Sequence, residues 1–221
     1  MKSILCAVSI VLFASLPFAA AAAPADVALP AARTDGKVSL EKALSERRSI
    51  RELAPAPLTL EELGQLCWAA QGVTDGKGHR TAPSARGSYP LELYVIAGAV
   101  QALAPGLYHY EPARHALRLV AAGDKREEFD KKAIGQGWPG KAPAVFVLSG
   151  AWERMGKMKD RGAQFMAVEA GLAAQGFFLE VTALGLGSTY VGGFRPVEAR
   201  VALGLPAVEE VLAVLPVGRR P

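Results

Sequence analysis

The sequence QFMAVEAGLAAQGFFLEVTAL, residues 164–184, decides the fold. Nearly all of its residues are apolar or small, and after Gln164 its only strongly polar side chains are those of Glu169, Gln175 and Glu180. A helix that is apolar on every side is buried, and two glycines in this stretch permit close packing. We therefore predict a long helix in the centre of the protein or of a dimer, and not a membrane span.

Shorter elements surround this helix. Ser39 is a predicted N-cap for a helix that stops at the basic residues beginning with Arg47, and Thr59 with Glu62 forms a capping box for a helix that ends near Gly72. Further helices are predicted at 123–134 and 197–203, and strands at 91–98, 106–110, 115–120, 144–150 and 211–217. Strands and helices do not alternate regularly, which is typical of one α+β domain with helices packed on a sheet.

The first 23 residues have the three parts of a secretory signal peptide. Lys2 precedes an apolar run at 4–16, which is followed by Pro17 and by small residues at 19–23. This run is shorter than the roughly 20 apolar residues that a spanning helix needs. We expect residues 1–23 to be removed and the protein to be exported, to the periplasm or outside the cell, without stable membrane insertion.

Composition limits what the rest of the chain can do. Removal of 23 residues, including Lys2, from the 221 of the chain leaves 198, with a net charge of +3 instead of +4. This charge is too small to predict binding to nucleic acid or to a membrane surface.

One cysteine remains, Cys67, so no internal disulfide can form, and its place on an apolar helix face predicts burial. Residues 24–38 are rich in Ala and Pro and predict a linker or dimer arm, whose order would need a partner surface.

Common nucleotide and metal motifs do not occur in the sequence. Gly185-Leu-Gly187 lacks the third glycine of a dinucleotide-binding motif, and no phosphate-binding P-loop is present. The three histidines, His79, His109 and His115, do not have metal-ligand spacing, so no metal site is predicted.

Two segments could bind a ligand. The run Arg47-Arg48-Ser49-Ile50-Arg51 brings three guanidinium groups and a hydroxyl together. Such a set can bind a phosphate through charge-assisted hydrogen bonds, or it can form a solvated basic surface. Residues 72–90 form a long stretch rich in Gly, Ser and Pro, and loops of this length are often functional.

Seven stretches occur in the order of a known family: RRSIREL, LTLEELGQLCWAAQG, RTAPSARGSYPLELYVIAG, PGLYHYEP, DRGAQFMAVEAGLAAQ, ALGLGSTYVGGF and LAVLPVGR. Together they span about Ser39 to Arg219 and resemble the FMN-dependent nitroreductase superfamily, and within it the SagB-type, or thiazole/oxazole dehydrogenase-like, branch. The resemblance implies a domain at 39–221 with a central, mostly antiparallel sheet flanked by helices. It also implies a homodimer with two FMN sites at its interface.

The resemblance implies an activity as well. Members pass electrons through the N5 atom of FMN to a small electron-poor acceptor, such as a nitroaromatic or a quinone, and the flavin carries the chemistry. NAD(P)H is the common electron donor of such enzymes. Because NAD(P)H is scarce outside the cytoplasm, export of this protein makes a different donor a serious alternative.

Individual residues match the family's FMN contacts. Arg47 and Ser49 match contacts to the phosphate, and Arg48 and Arg51 match positions along the ribityl chain and the pyrimidine edge, where a cation stabilises the anionic reduced flavin. The other matches are Pro83, Ser84 and Ala85, in a loop that reaches across the dimer; Gly192 and Gly193, against the isoalloxazine; and Arg219 or Arg220, which closes the phosphate pocket.

The sequence departs from the SagB-type pattern at two places. Azoline-oxidising members have Lys-Tyr-Gly-Asp-Arg, with Lys and Tyr acting in proton removal, whereas this chain reads Lys157-Met158-Lys159-Asp160-Arg161. Lys157 remains a catalytic candidate, but Met158 has no ionisable proton. The family's EAGH…QN also loses its His and Asn here, at Leu172 and Gly176. Both losses disfavour azoline oxidation, and a flavin-binding scaffold or redox sensor stays open as an alternative to an enzyme.

Overall fold

The computed structural model describes residues 26–221; residues 1–25, which include the predicted signal peptide, and the side chains at 157 and 159 lie outside the description. Its strands are β1 (Val27–Ala28), β2 (Leu91–Ala97), β3 (Gly106–Glu111), β4 (Ala116–Ala122), β5 (Ala144–Ala151), β6 (Leu186–Ser188) and β7 (Glu209–Arg219). Its helices are α1 (Leu40–Glu46), α2 (Leu60–Gln71), α3 (Arg126–Phe129, continued by a π-helical turn over Asp130–Ile134), α4 (Gly162–Ala183) and α5 (Pro196–Ala202).

These strands form one sheet in the order β1-β4-β3-β2-β5-β7-β6, and every neighbouring pair is antiparallel. The predicted α+β fold with a mostly antiparallel sheet is therefore confirmed. The last strand is longer at both ends than the predicted 211–217. Its extra residues Gly218 and Arg219 pair with Gly187 and Leu186 of β6, a partner that local sequence does not reveal.

Each face of the sheet carries a separate core. Leu91, Leu93 and Val95 of β2 point to one face, where α2 and α4 pack, and the rings of Phe146 and Phe177 lie 4.9 Å apart there. Tyr94 and Ile96 of the same strand belong to the second core, together with residues of the α3 region and α5. This alternation follows from the two-residue period of a strand.

Helix α4 is the predicted long helix, and its two sides differ in burial within the described chain. Met166, Ala173 and Phe177 are fully buried. On the other side, Val168 and Leu172 are 55% and 45% exposed. The helix is therefore apolar all round but covered on one face within the described chain. Among the described residues, no helix has the length and hydropathy needed to cross a membrane.

The helix starts are set by the predicted caps. The Ser39 hydroxyl accepts a hydrogen bond from the Lys42 amide at 3.2 Å, and α1 ends just before Arg47. At α2, the Glu62 amide donates to the Thr59 hydroxyl at 3.1 Å, and the Thr59 amide donates to the Glu62 carboxylate at 2.9 Å. The capping box predicted from sequence is thus confirmed.

The segment before α1 packs on its own chain. Val27 and Ala28 pair with β4, and the backbone of Arg33 exchanges two hydrogen bonds with the amide side chain of Gln65, at 2.9 and 3.0 Å. His115 connects this segment to the sheet, because its ring nitrogens lie 2.9 Å from the Pro30 carbonyl and 2.9 Å from the Tyr110 hydroxyl. The surface that we expected from a partner is supplied by the protein's own sheet and α2.

Cys67 is fully buried in α2. Burial in apolar surroundings raises the pKa of its thiol. The side chain is therefore a small core residue, as predicted from its position on the helix face.

Candidate functional site

The basic segment after α1 crosses the ends of β6 and β7. The Ile50 amide donates to the Ser188 carbonyl at 2.9 Å, and the Ala54 amide donates to the Arg219 carbonyl at 2.9 Å. Gly187 of β6 permits this crossing, since a Cβ at that position would lie 2.9 Å from Ile50 Cγ2 and 3.0 Å from Leu53 Cδ2. The fold thus fixes the basic segment by backbone pairing and leaves its polar side chains free to bind.

We expect Gly187→Ala to displace this segment. The added methyl overpacks a closed contact, which costs about 1–3 kcal/mol, and chemical denaturation should show a loss of stability in this range. Gly76→Ala is the matched control, because no atom lies within 4 Å of the added Cβ there. Equal stabilities of the two variants would contradict the close packing of Gly187 against Ile50.

Several polar side chains of the basic segment, residues 47–51, form no bond with the rest of the described chain. Arg48 donates to the carbonyls of Ser45 and Arg47 at 2.9 and 2.8 Å. Within the described chain, the side chains of Arg47, Ser49 and Arg51 form no hydrogen bond or ion pair. Arg47 is half-buried, while Ser49 and Arg51 are exposed. Two guanidinium groups and a hydroxyl are therefore available to an anion such as a phosphate.

Arg219 lies at the same strand ends but has a protein partner. Its guanidinium forms an ion pair with Glu62, with Nη2 at 2.8 Å from Oε2. That carboxylate also caps α2, so it joins the helix start to the last strand. Arg220 is exposed, and its Nε donates to the Leu186 carbonyl at 2.8 Å. Both residues lie near the basic segment, but the charge of Arg219 is already compensated by Glu62.

Gly192 and Gly193 line a cavity of about 160 Å³ together with Arg51. The structure therefore brings together two of the predicted site elements. Gln136 and Trp138 line the same cavity, and the Trp138 indole N–H donates to the Gln136 side-chain carbonyl at 2.9 Å.

Sequence reasoning missed Gln136 and Trp138, which are more than 50 residues from Gly192 along the chain. Nothing in the local sequence indicates this proximity. The two segments meet because Val191 forms a bridge with Val214 of β7, the neighbour of β5 in the sheet, and because the Arg195 amide donates to the Ala133 carbonyl at 2.8 Å. The only local signal is the pair of glycines around Gln136, both with positive φ, which marks an irregular loop.

The loop at 83–85 is fixed elsewhere, on the N-terminal half of α4. The Ala85 amide donates to the Glu169 carboxylate at 2.8 Å, and Glu169 is only 4% exposed. The Ser84 hydroxyl accepts from the Tyr89 amide at 2.8 Å, and Pro83 is exposed. Glu169 thus positions a loop that the sequence match assigns to flavin binding.

The predicted site residues form two groups that lie apart in one chain. Glu169, which holds the 83–85 loop, precedes the end of α4 at Ala183 by 14 residues, or about 21 Å along a helix. That end of α4 leads directly into β6, where the basic segment crosses. One chain therefore does not gather all the predicted residues at one place.

The histidines have structural partners. His79 Nδ1 lies 2.7 Å from the Asp75 carboxylate, His109 Nε2 lies 2.7 Å from the Glu92 carboxylate, and His115 joins the N-terminal segment to Tyr110. In the described part of the chain, no group of three or more His, Cys, Asp or Glu residues could hold a metal ion. The side chain of Lys157, the catalytic candidate, lies outside the description.

Comparison with known proteins identifies the class to which this fold and site belong. Residues 44–219 match the model of the nitroreductase family, and the chain belongs to that family. It is 38% identical over 185 residues to a candidate nitroreductase of Methanocaldococcus jannaschii, MJ1384, covering 83% of this chain and 92% of that protein.

Solved structures agree with the family match. A candidate nitroreductase of Ralstonia eutropha JMP134 superimposes with a TM-score of 0.76 at 31% identity, covering 89% of this chain and 90% of that one. A chain of the E. coli microcin synthetase McbBCD complex, solved with truncated pro-MccB17 bound, shares the fold with a TM-score of 0.69 at 20% identity, covering 87% and 76%. Family membership makes the protein an oxidoreductase, in a family that generally uses FMN and NAD(P)H.

Proposed function

We propose that the protein is an FMN-dependent oxidoreductase that passes electrons through flavin N5 to a small electron-poor acceptor, such as a nitroaromatic or a quinone. With a nitro compound, NAD(P)H and one proton give NAD(P)+ and convert the nitro group to a nitroso group and water, a transfer of two electrons. One observation carries the proposal. The side chains of Arg47, Ser49 and Arg51 form no hydrogen bond or ion pair within the described chain, and Arg51 also lines the cavity beside Gly192 and Gly193.

The donor set fits FMN. Arg47 and Ser49 offer a guanidinium and a hydroxyl to the phosphate, and Arg48 has N–H groups to spare beside its two carbonyl contacts. Arg51 reaches from this cluster into the cavity beside Gly192 and Gly193, where the missing side chains let a planar ring approach the backbone. When bound, FMN would supply two-electron chemistry at N5. Arg51 would stabilise negative charge on the pyrimidine edge of the reduced ring.

A homodimer would complete the site. The apolar face of α4 around Val168 and Leu172 is uncovered in one chain, which is typical of an interface. The loop at 83–85 lies about 21 Å along α4 from the end where the basic segment crosses. If α4 packs against its copy in antiparallel fashion, the loop of one protomer approaches the basic segment of the other. We therefore propose two FMN sites, each formed by both protomers.

Within the family, we propose the SagB-type branch without azoline oxidation. The shared fold with a chain of the McbBCD complex is compatible with that branch. Met158, which stands where azoline oxidases have a tyrosine, lines the groove beside Ala85, and its thioether cannot give up or take a proton at neutral pH. Lys157 alone would have to serve as base, so reduction of an acceptor is the favoured direction of chemistry.

We also propose that the protein acts after export, on the basis of residues 1–23. Export places the enzyme where NAD(P)H is scarce, so its electrons would come from another reductant that reaches the same site. The unused guanidinium groups at the basic segment do not select among donors. Reconstitution is therefore tested with more than one electron donor.

The test is reconstitution of residues 24–221 with FMN. We expect a yellow protein whose flavin absorbance bleaches on reduction, and which consumes NAD(P)H or a chemical reductant with a nitroaromatic or quinone. A colourless protein that does not take up added FMN would rule out the proposal. A yellow protein without turnover, over a broad set of donors and acceptors, would instead identify a flavin-binding scaffold or redox sensor.

A further inference from the structure

A second opening lies beside the 83–85 loop, apart from Gly192 and Gly193 of the same chain. A groove of about 460 Å³ runs between the loop after Pro83 and the irregular segment Trp152–Arg161 that leads into α4. Its lining consists of Ala85, Arg86, Met158, Asp160, Arg161 and Phe165. This volume is in the range of about 300–1,000 Å³ that small-molecule sites have. The groove can therefore hold a compound of one or two rings.

The groove carries an excess of positive charge. Its lining contains two guanidinium groups, those of Arg86 and Arg161, and one carboxylate, that of Asp160, and all three residues are exposed. The lining thus attracts an anion more than a cation.

One wall of the groove is flat and aromatic. The guanidinium carbon of Arg161 lies 4.8 Å from the centroid of the Phe165 ring, which is a cation–π contact. Arg161 Nε also donates to the Gln164 side-chain carbonyl at 3.3 Å. The stacking on Phe165 fixes the plane of the guanidinium, and its terminal N–H groups can pair with a carboxylate in two parallel hydrogen bonds.

Both walls are held in place by carboxylates. Glu169 fixes Ala85 on one side. On the other side, Arg154 donates to the Tyr89 carbonyl at 2.9 Å and pairs with Glu92, which also pairs with His109. Burial would raise the pKa of Glu92, but its bonds with His109 and Arg154 outweigh burial and lower it. The carboxylate therefore stays charged at neutral pH and keeps the wall in position.

We propose that this groove selects planar aromatic acceptors that carry an anionic group, such as a nitrobenzoate, over neutral and cationic analogues. The inference rests on the proposed function, because the 83–85 loop that forms one wall is the part assigned to the flavin of the other protomer. The acceptor ring packs beside Phe165 and Met158, and its carboxylate pairs with Arg161 and Arg86. The pairing holds the anionic end at the rim and leaves the electron-poor end directed to the interior.

The test compares two acceptors of nearly equal shape, 4-nitrobenzoate and 4-nitrobenzamide, with the FMN-loaded dimer. We expect kcat/KM to favour the carboxylate, and Arg161→Gln to reduce that preference about 5-fold through KM, as expected for one ion pair between exposed groups. Arg86→Gln should reduce it less. Arg114→Gln is the control, since Arg114 lies in the turn between β3 and β4 and pairs with Asp26 and Glu111.

Binding of an unreactive pair, 4-chlorobenzoate and 4-chlorobenzamide, gives a readout without turnover. Calorimetry should show tighter binding of the carboxylate to the unsubstituted protein, and loss of that difference in Arg161→Gln. Equal binding of the two compounds, or a preference that survives Arg161→Gln and Arg86→Gln together, would overturn the inference. If no flavin binds, the proposed function fails, and calorimetry on the flavin-free protein still decides whether the groove selects anions.

Discussion

Arg47→Ala is expected to weaken FMN binding about 10- to 100-fold. A charge-assisted hydrogen bond to a phosphate contributes about 1.5–3 kcal/mol, and each 1.4 kcal/mol is about a factor of 10 in the dissociation constant. Arg47 is half-buried at the end of α1, and its side chain has no partner among the described residues. Its removal therefore leaves no protein group unsatisfied, and the fold should keep its stability.

Fluorescence titration of the flavin-free variant with FMN measures this effect. Arg114→Ala is the control, because it removes an exposed arginine from the turn between β3 and β4, which lie toward the opposite edge of the sheet from β6 and β7. Arg47→Lys should recover part of the affinity, since an ammonium keeps the charge but cannot form two parallel bonds. Unchanged FMN affinity in Arg47→Ala, with an unchanged melting temperature, would show that the phosphate does not bind at this cluster.

Local sequence patterns were sufficient to predict most of the helices and strands. The capping box at Thr59 and Glu62 acts over three residues, and the strand at 144–150 is an apolar run of strand length, so both could be read without knowledge of the fold. The basic cluster could be found for the same reason. Its residues are adjacent in sequence, and the end of α1 presents them together.

Contacts between segments that are distant in the sequence could not be predicted from local patterns. The ion pair of Arg219 with Glu62 joins residues 157 positions apart, and it changes the expected role of Arg219 from a free phosphate ligand to one with a charged partner. The approach of Trp138 to Gly192 depends on the order of β5 and β7. Neither follows from composition or periodicity, because strand order is decided by packing of the whole sheet.

The interior of α4 shows a different limit. A stretch that is apolar on every side has no periodicity to indicate which face packs on the sheet, so the sequence predicted burial in a protein or dimer core without separating the two faces. The structure separates the faces: Phe177 packs on Phe146, whereas Val168 and Leu172 remain uncovered in one chain. An uncovered apolar face on the longest helix gives the homodimer proposal a specific location.

Val168→Glu is expected to convert the proposed dimer to a monomer and to abolish FMN binding. Val168 is 55% exposed on the uncovered face of α4, so the folded monomer can accept a glutamate there. At an interface between two copies of α4, each carboxylate would be taken out of water beside apolar side chains, at a cost of several kcal/mol. We expect the dimer dissociation constant to rise at least about 100-fold.

Val201→Glu is the matched control, because Val201 is 65% exposed on α5, away from this face. Sedimentation should show a dimer for the control and a monomer for Val168→Glu, and titration with FMN should follow the same division. If both protomers form each FMN site, loss of the dimer and loss of FMN binding must occur in the same variant. A Val168→Glu monomer that binds FMN as tightly as the dimer would show that one chain forms the complete site, although its two groups of residues lie about 21 Å apart along α4. A variant that remains dimeric would place the interface on another surface.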